Sequence, residues 1–216
     1  MQTLVEAAFG LGPPTGLFDD TTVANLFPRH STGARRALIH RAIASGELLR
    51  LKPGLYCLPA SLRRTQPHPF VVAAMLHFPS QVSLETALAH HGLIPEVVHQ
   101  VASVTSRRSR TFETPLGHFV FRRVPCDNLR AGVQATRIDG DAWAFVSSPL
   151  RAIADLVYLR REVTWEREGL SFLTESMRIE REDLETLSLD AFDQIHASIH
   201  SKRTRRYLWG LKQELG

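Results

Sequence analysis

The sequence is poor in cysteine and has no long apolar run. Its 216 residues include two cysteines, Cys57 and Cys126, which lie far apart and form no CxxC motif. This argues against a disulfide framework or a structural zinc site and fits a reducing cytosol. No apolar run approaches the roughly 20 residues that span a bilayer, and the start MQTLVEAAFG lacks the basic and apolar regions of a signal peptide. We therefore expect a cytoplasmic protein that does not contact a membrane.

The motifs that mark common enzyme classes are also missing. There is no P-loop, GxGxxG or HExxH, and the serines at 147–148 lack a GxSxG elbow. Asp139 and Asp141 have the spacing of a metal-binding DxD pair, but its usual Gly-Ser partner is absent and an Asp-Gly hairpin turn explains them. His90 and His91 point about 100° apart on a helix, with no third ligand apparent nearby. We expect no enzymatic activity, no cofactor and no metal; a nuclease or transferase acting on nucleic acid is the weaker alternative.

The charge of the chain is unevenly distributed. The net charge is +4, and residues 1–60 carry six Lys/Arg against four Asp/Glu. Residues 61–131 carry eight against four, whereas residues 132–216 carry twelve against fourteen. The basic excess therefore lies in the first 131 residues and favours a polyanionic partner, although a slightly basic enzyme would also fit. Apolar residues make up 44% of the sequence, which is ordinary for a soluble globular protein of one large or two small domains.

The most informative stretch is residues 21–59, where the pattern predicts helix, turn, second helix and hairpin. The second helix, over 33–45, is capped by Ser31 or Thr32 and closed by Gly46 as a C′ glycine. This order is the layout of a helix-turn-helix followed by a wing. The rest of the chain is then interpreted as a second domain that the first positions on DNA.

The second helix has two different faces on a helical wheel. The apolar face consists of Leu38, Ile39, Ala42 and Ile43. The opposite face combines small residues with basic or hydrogen-bonding ones, namely Gly33, Arg36, Ala37, His40, Arg41 and Ala44. Small residues let a helix backbone approach the floor of a groove, and arginine matches guanine edges and phosphates. Arg35 borders the apolar face, so we expect it at a phosphate. A solvated amphipathic helix is the alternative.

The hairpin after this helix is basic. Leu49 and Leu51 alternate with Arg50 and Lys52, and a Pro-Gly pair at 53–54 has the residues of a type II turn. Arg50 and Lys52 are predicted to share the exposed face beside the turn, where they suit contact with the DNA backbone or minor groove. A plain edge hairpin is the alternative interpretation.

The remaining sequence predicts a mixed domain. Residues 61–69 are polar, with two prolines and an arginine pair, and are the best linker between domains at 1–60 and 70–216. Two helices follow, FVVAAMLHF and LETALAHH, the second capped by Ser83. About four strands are expected between 98 and 147, with turns at Pro115-Leu116-Gly117 and Asp139-Gly140-Asp141. Helices then continue through LRAIADLVYLRR and WEREGLSFLTESM to the C-terminus, so the predicted fold class is α+β.

Two further basic groups stand out. The first is predicted to form one face of the sheet, and its members are Arg107, Arg108, Arg110, Arg122 and Arg123. The alternatives for this face are an extension of the DNA footprint, a site for nucleic acid or a toxin, or simply a solvated surface. The second opens the last helix with Lys202, Arg203, Arg205 and Arg206. Basic residues oppose the dipole there, so an acidic partner is one hypothesis and a surface cluster facing the acidic stretch 180–185 is the other.

Taken in order, these pieces resemble the AbiEi family of antitoxins from type IV toxin–antitoxin systems. The resemblance rests on RAIASGELLRLKPGLYCLP in the wing region, VSLETALAHHGLIP after the linker and SSPLRAIADL after the sheet. It covers roughly residues 20–160, and beyond about residue 165 only the helical character is similar.

The resemblance implies two activities. A winged helix binds inverted repeats in double-stranded DNA of its own promoter and represses it, and the C-terminal domain counteracts a nucleotidyltransferase-like toxin, directly or indirectly. The positions that correspond to DNA contacts are Arg36, His40, Arg41, Arg50 and Lys52, to which we add Thr32, Gly33 and Arg35 from the first turn of the helix. The alternatives are an orphan winged-helix regulator and a protein-interaction module without antitoxin activity.

Overall fold

The fold is described from a computed structural model, which covers residues 3–95, 100–139 and 142–216. The chain forms two compact units. The first comprises Met1–Leu76 with Glu113–Gly117, and the second comprises His77–Phe112 with His118–Gly216. Helices and strands occur in both, so the predicted α+β class is confirmed. Within the described ranges, no helix combines the length and the apolar character needed to cross a membrane.

The first unit alternates helices with a small sheet. Its elements are α1 (Leu4–Leu11), β1 (Leu17–Asp19), α2 (Asp20–Leu26), α3 (Thr32–Ala44), β2 (Leu49–Lys52), β3 (Leu55–Cys57) and α4 (Pro69–Leu76). The three strands are antiparallel in the order β1-β3-β2. A buried core joins α1, α2, α3 and the sheet through residues that include Leu4, Phe18, Val23, Ile39, Ala42 and Leu48.

Side-chain caps fix where these helices begin. The Thr3 hydroxyl accepts from the Glu6 amide, the Asp19 carboxylate from the Thr22 amide and the Ser31 hydroxyl from the Ala34 amide. Each cap satisfies an amide that has no partner within its helix. Of the two predicted caps for α3, Ser31 is the one used, and Gly46 follows the helix with a φ of +75° as predicted.

The predicted linker is held against the first unit. Residues Ala60–Leu62 form a short 3-10 helix, and the amides of Arg64 and Thr65 donate to the carbonyl of Pro14. The Arg64 guanidinium also donates to the Phe9 carbonyl at 3.0 Å. The two compact units therefore divide at residue 76, further along the chain than the predicted linker at 61–69.

The second unit is built on a six-stranded sheet. Its elements are β4 (Ser80–Val82), α5 (Leu84–His90), β5 (Gln100–Thr105), β6 (Arg110–Thr114), β7 (Gly117–Arg123), β8 (Val133–Asp139), β9 (Ala142–Ser147), α6 (Pro149–Leu159), α7 (Arg181–Glu185), α8 (Phe192–Ser198) and α9 (Lys202–Leu215), with the tip of the β6–β7 hairpin assigned to the first unit. The strand order is β6-β7-β5-β4-β9-β8. Pairing is parallel between β4 and β9 and between β5 and β7, and antiparallel between β4 and β5 and between β8 and β9.

The strand predictions for this unit are mostly confirmed. Five strands, rather than about four, lie between residues 98 and 147, because Arg110–Thr114 and Gly117–Arg123 are separate strands of the predicted hairpin. Gly140 and Asp141 of the second predicted turn lie outside the described residues. The continuous helix predicted over 165–177 is wrong: Gly169 adopts a φ of +52°, and only Phe172–Ser176 form a short π-helical segment.

Candidate nucleic-acid interface

The outward face of α3 has the composition that the helical wheel predicted. Ile39 and Ala42 are buried, and Leu38 and Ile43 are partly buried against the core. All six residues of the opposite face are exposed. Residues four apart on a helix are neighbours, so these six form two adjacent rows, Gly33-Ala37-Arg41 and Arg36-His40-Ala44. The side chains of the small residues therefore project little from the helix, and the positive charge of the face lies at Arg36 and Arg41.

The basic side chains of this face are without a partner among the residues that the structure describes. Within the described parts of the chain, no hydrogen bond or ion pair engages the side chains of Arg36, His40 or Arg41. α3 itself contains no acidic residue. Two guanidinium groups on one exposed face, neither paired with a carboxylate among the described residues, leave their donors available to an anionic ligand.

Arg35 has a different environment from the other arginines of α3. Its guanidinium donates to the carbonyl of His30 at 2.9 Å, and more weakly to the carbonyl of Phe27 and the hydroxyl of Thr32, both at 3.4 Å. These bonds satisfy backbone groups at the end of α2 and fix the turn into α3. Arg35 was expected at a phosphate, but the structure gives it a role in holding the turn.

Lys52 differs most from its prediction. It is partly buried rather than exposed, and its ammonium donates to the carbonyls of Met75 and Leu76, both at 2.8 Å. These are the last carbonyls of α4, which have no partner within the helix. The strand pairing explains why Lys52 does not share an exposed face with Arg50, since the register shifts between these two residues.

The β2–β3 hairpin presents one arginine. Arg50 is exposed, lies opposite Tyr56 and has no side-chain hydrogen bond or ion pair among the described residues. Gly54 has a φ of +79°, the value that the second central position of the predicted type II turn requires. Of the two hairpin cations predicted to contact DNA, Arg50 is therefore the one whose donors are available.

The basic group of the second unit does not form one face of the sheet. Arg122 and Arg123 are consecutive in β7 and point to opposite sides, because side chains alternate along a strand. The Ser109 hydroxyl accepts from the Arg123 amide at 2.9 Å, which places the β5–β6 loop beside the end of β7. The group is thus gathered at one end of the sheet, and its five side chains are all exposed: Arg107, Arg108, Arg110, Arg122 and Arg123.

Two of the four basic residues at the start of α9 have partners outside the acidic stretch 180–185. Arg206 pairs with Glu166 at 3.1 Å, and Arg203 donates to carbonyls at the end of α6. Within the acidic stretch, Glu185 forms an ion pair with Arg181 at 3.3 Å. The hypothesis of a surface cluster facing that stretch is therefore wrong for these two arginines.

One residue of the histidine pair and one of the serine pair have structural roles. The ring nitrogen Nε2 of His91 lies 2.9 Å from the carbonyl oxygen of Ser147. The Ser148 hydroxyl accepts from the Arg151 amide as the cap of α6. No group of three or more His, Cys, Asp or Glu residues that could hold a metal occurs in the part of the chain that the structure describes.

A buried ion pair in α6 was missed at the sequence level. Arg151 and Asp155 are both nearly inaccessible to solvent, and Arg151 Nε donates to Asp155 Oδ1 at 3.0 Å. The other carboxylate oxygen accepts from the Ser83 hydroxyl at 2.8 Å, so Ser83 does not cap α5 as predicted. An arginine and an aspartate four residues apart on an otherwise apolar helix were the available signal.

Comparisons with protein families and with curated proteins found no match. No protein-family model matches the chain, and no curated protein is significantly similar to it.

Proposed function

We propose that the first unit is a winged-helix DNA-binding domain, with α3 as the recognition helix and the β2–β3 hairpin as the wing. The order of its elements supports this proposal: α1, β1, α2, α3, β2 and β3 follow one another, and the three strands form one antiparallel sheet. In such domains the second helix of the helix-turn-helix enters the major groove while flanking elements contact the backbone.

The observation that carries the proposal is the contrast among the cations of this unit. Arg35, Lys52 and Arg64 use their donors on backbone carbonyls of the protein. By contrast, the side chains of Arg36 and Arg41 make no hydrogen bond or ion pair among the described residues. They lie on a helix face whose other side chains include glycine and alanine. A Cβ added at Gly33 would find only the Ser31 hydroxyl, at 3.9 Å, so nothing in the described fold requires a glycine there. Close approach of a ligand to the helix is a reason for a small residue.

In this proposal Arg36, His40 and Arg41 read base edges or adjacent phosphates, and Arg50 contacts the backbone from the wing. Thr32 and Gly33 lie at the start of α3, where backbone amides face a phosphate. In the same proposal the basic group at the end of the second unit's sheet is an additional site for nucleic acid. The partner is double-stranded DNA, and inverted repeats in the upstream region of the gene are the proposed sites.

Binding to the upstream DNA tests this proposal in a mobility-shift titration. Each phosphate that the protein neutralises contributes roughly 0.9 to the slope of log affinity against log salt. Four such contacts would reduce the affinity roughly a hundredfold between about 50 and 200 mM salt. A scrambled duplex of the same length serves as the control. Absence of a shift at low salt, or equal affinity for both duplexes, would contradict sequence-specific repression.

The second half of the proposal is an antitoxin role for the whole chain in the cytoplasm, against a nucleotidyltransferase-like toxin. It is supported by the resemblance of the three sequence blocks to AbiEi antitoxins. One of these blocks forms the start of α6, where Arg151 and Asp155 build the centre of the second unit. The alternatives are an orphan regulator and a protein-interaction module in which the winged helix is only a scaffold.

Co-expression with the product of the neighbouring gene tests this second half. We expect that gene to encode a Gly-Ser and DxD nucleotidyltransferase signature, to arrest growth when expressed alone and to be tolerated when this protein is present. The Arg36→Ala and Arg41→Ala double variant is the informative control, since it separates rescue by the second unit from repression at the promoter. Unrelieved growth arrest would contradict the antitoxin role, and co-purification without promoter binding would favour the interaction module.

A further inference from the structure

We propose that the second unit binds a phosphate group in a cationic cavity where α6 ends and α9 begins. The cavity has a volume of about 430 Å³ and is lined by Arg123, Tyr158, Leu159, Arg161, Ser201 and Arg203. Three of these six side chains are guanidinium groups, two carry hydroxyls and none is acidic. None of the lining residues belongs to α3 or to the hairpin, so the site goes beyond the function proposed above.

Two of the three guanidinium groups are unengaged. Arg123 closes β7, Arg161 follows the end of α6, and both side chains are exposed. Across the described residues, neither side chain has a hydrogen bond or an ion pair. Like charges that face one cavity repel one another, and this repulsion is relieved when an anion enters.

The third guanidinium is fixed in place. Arg203 donates to four carbonyls at and just after the end of α6, at 2.8 Å for Val157, 3.1 Å for Tyr158 and 3.2 Å for Arg160, and also to Val163. All four acceptors are neutral, so no carboxylate neutralises Arg203 through these bonds. Burial lowers the pKa of Arg203, the charge of Glu162 opposes this shift and the charge of Arg161 adds to it. The cavity therefore has a rigid positive charge at its base.

The chemistry of the lining suits a phosphate group. Arginine forks bind the oxygens of phosphate in pairs, and hydroxyls such as those of Ser201 and Tyr158 donate to the remaining oxygens. The Ser201 hydroxyl accepts from the Thr204 amide and keeps its own proton to donate. A volume of about 430 Å³ lies within the range of small-ligand sites, so a nucleotide phosphate and a phosphate of a DNA backbone are the two sources to distinguish.

Calorimetric titration of the full chain with pyrophosphate, a nucleoside triphosphate and a short DNA duplex tests the proposal. Arg161→Gln and Arg123→Gln should each weaken binding about tenfold, because each removes one charged hydrogen-bonding partner. Arg167→Gln is the matched control, since it removes the same charge from an exposed position of the second unit that does not line the cavity. Arg203 is left intact because it caps α6.

The pattern across ligands identifies the source of the phosphate. Binding of triphosphate or pyrophosphate that Arg161→Gln weakens indicates a nucleotide site, and an effect confined to the duplex indicates a backbone contact. Either result supports the proposal. Absence of binding to pyrophosphate and triphosphate at millimolar concentration together with duplex binding that Arg161→Gln leaves unchanged, or equal weakening by Arg167→Gln and Arg161→Gln, would overturn it. Tryptophan fluorescence during unfolding checks that each variant retains the fold of this unit.

Discussion

Replacing Arg36 and Arg41 together with alanine should lower the affinity for the upstream DNA about a hundredfold while leaving the melting temperature unchanged. Each arginine that contacts a base edge or phosphate contributes roughly 1–3 kcal/mol, and about 1.4 kcal/mol corresponds to a factor of ten. The stability is expected to hold because both side chains are exposed and make no hydrogen bond within the described chain. Mobility-shift titration and circular dichroism measure the two quantities.

The control for this prediction removes the same charge elsewhere. Arg167 and Arg206 are exposed in the second unit, and the Arg206 pair with Glu166 lies at the surface, where such pairs contribute little. The double variant Arg167→Ala with Arg206→Ala therefore lowers the net charge equally without touching α3. Equal loss of affinity in both double variants would mean that overall charge, rather than the α3 face, attracts the DNA.

Two hairpin variants sharpen the same test. Arg50→Ala should weaken binding to specific and scrambled DNA alike and reduce the salt slope by about 1, which is the behaviour of a phosphate contact.

Lys52→Met should instead lower the free energy of unfolding by roughly 1–3 kcal/mol, because the carbonyls of Met75 and Leu76 lose their donor. A specific loss of DNA affinity in Lys52→Met without a loss of stability would restore Lys52 to the interface.

The parts of the fold that could be predicted from the sequence are those that depend on interactions between residues close together in the chain. The faces of α3, its Ser31 cap and its Gly46 terminus depend on residues within one or two helical turns. The turn at Gly54 likewise requires a positive φ that glycine adopts readily. Periodicity and capping therefore sufficed to place Arg36, His40 and Arg41 on one exposed face before any tertiary contact was known.

Three of the side chains that sequence placed wrongly act across elements. Lys52 bonds to carbonyls 23 and 24 residues later, and Arg203 bonds to carbonyls 40 to 46 residues earlier. Ser83 had the sequence signature of a helix cap, yet its hydroxyl serves Asp155, 72 residues away. Sequence patterns show that such groups are polar, but only the packing of helices shows which backbone or charged group each one satisfies.

Asp155→Asn should lower the free energy of unfolding of the second unit by about 3–5 kcal/mol, the cost of leaving one member of a buried ion pair without its partner. The substitution keeps the shape of the side chain but removes the charge that faces Arg151. Burial lowers the pKa of Arg151, and the charges and hydrogen bonds of Asp155 and Cys126 together raise it above its ordinary value. The variant removes the charge of Asp155 and leaves the burial unchanged, so the buried guanidinium loses its main compensation. Arg151 would then retain only neutral acceptors, among them the Ala131 carbonyl at 2.8 Å.

The chain contains a matched control for this prediction. Arg181 and Glu185 have the same i,i+4 spacing and a similar distance of 3.3 Å, but their side chains are 56% and 58% exposed. Glu185→Gln should therefore change stability by less than about 1 kcal/mol. Urea unfolding followed by tryptophan fluorescence measures both variants, because Trp143, Trp165 and Trp209 all lie in the second unit. If the two substitutions cost the same, burial does not govern the strength of the Arg151–Asp155 pair, and the central role assigned to it is wrong.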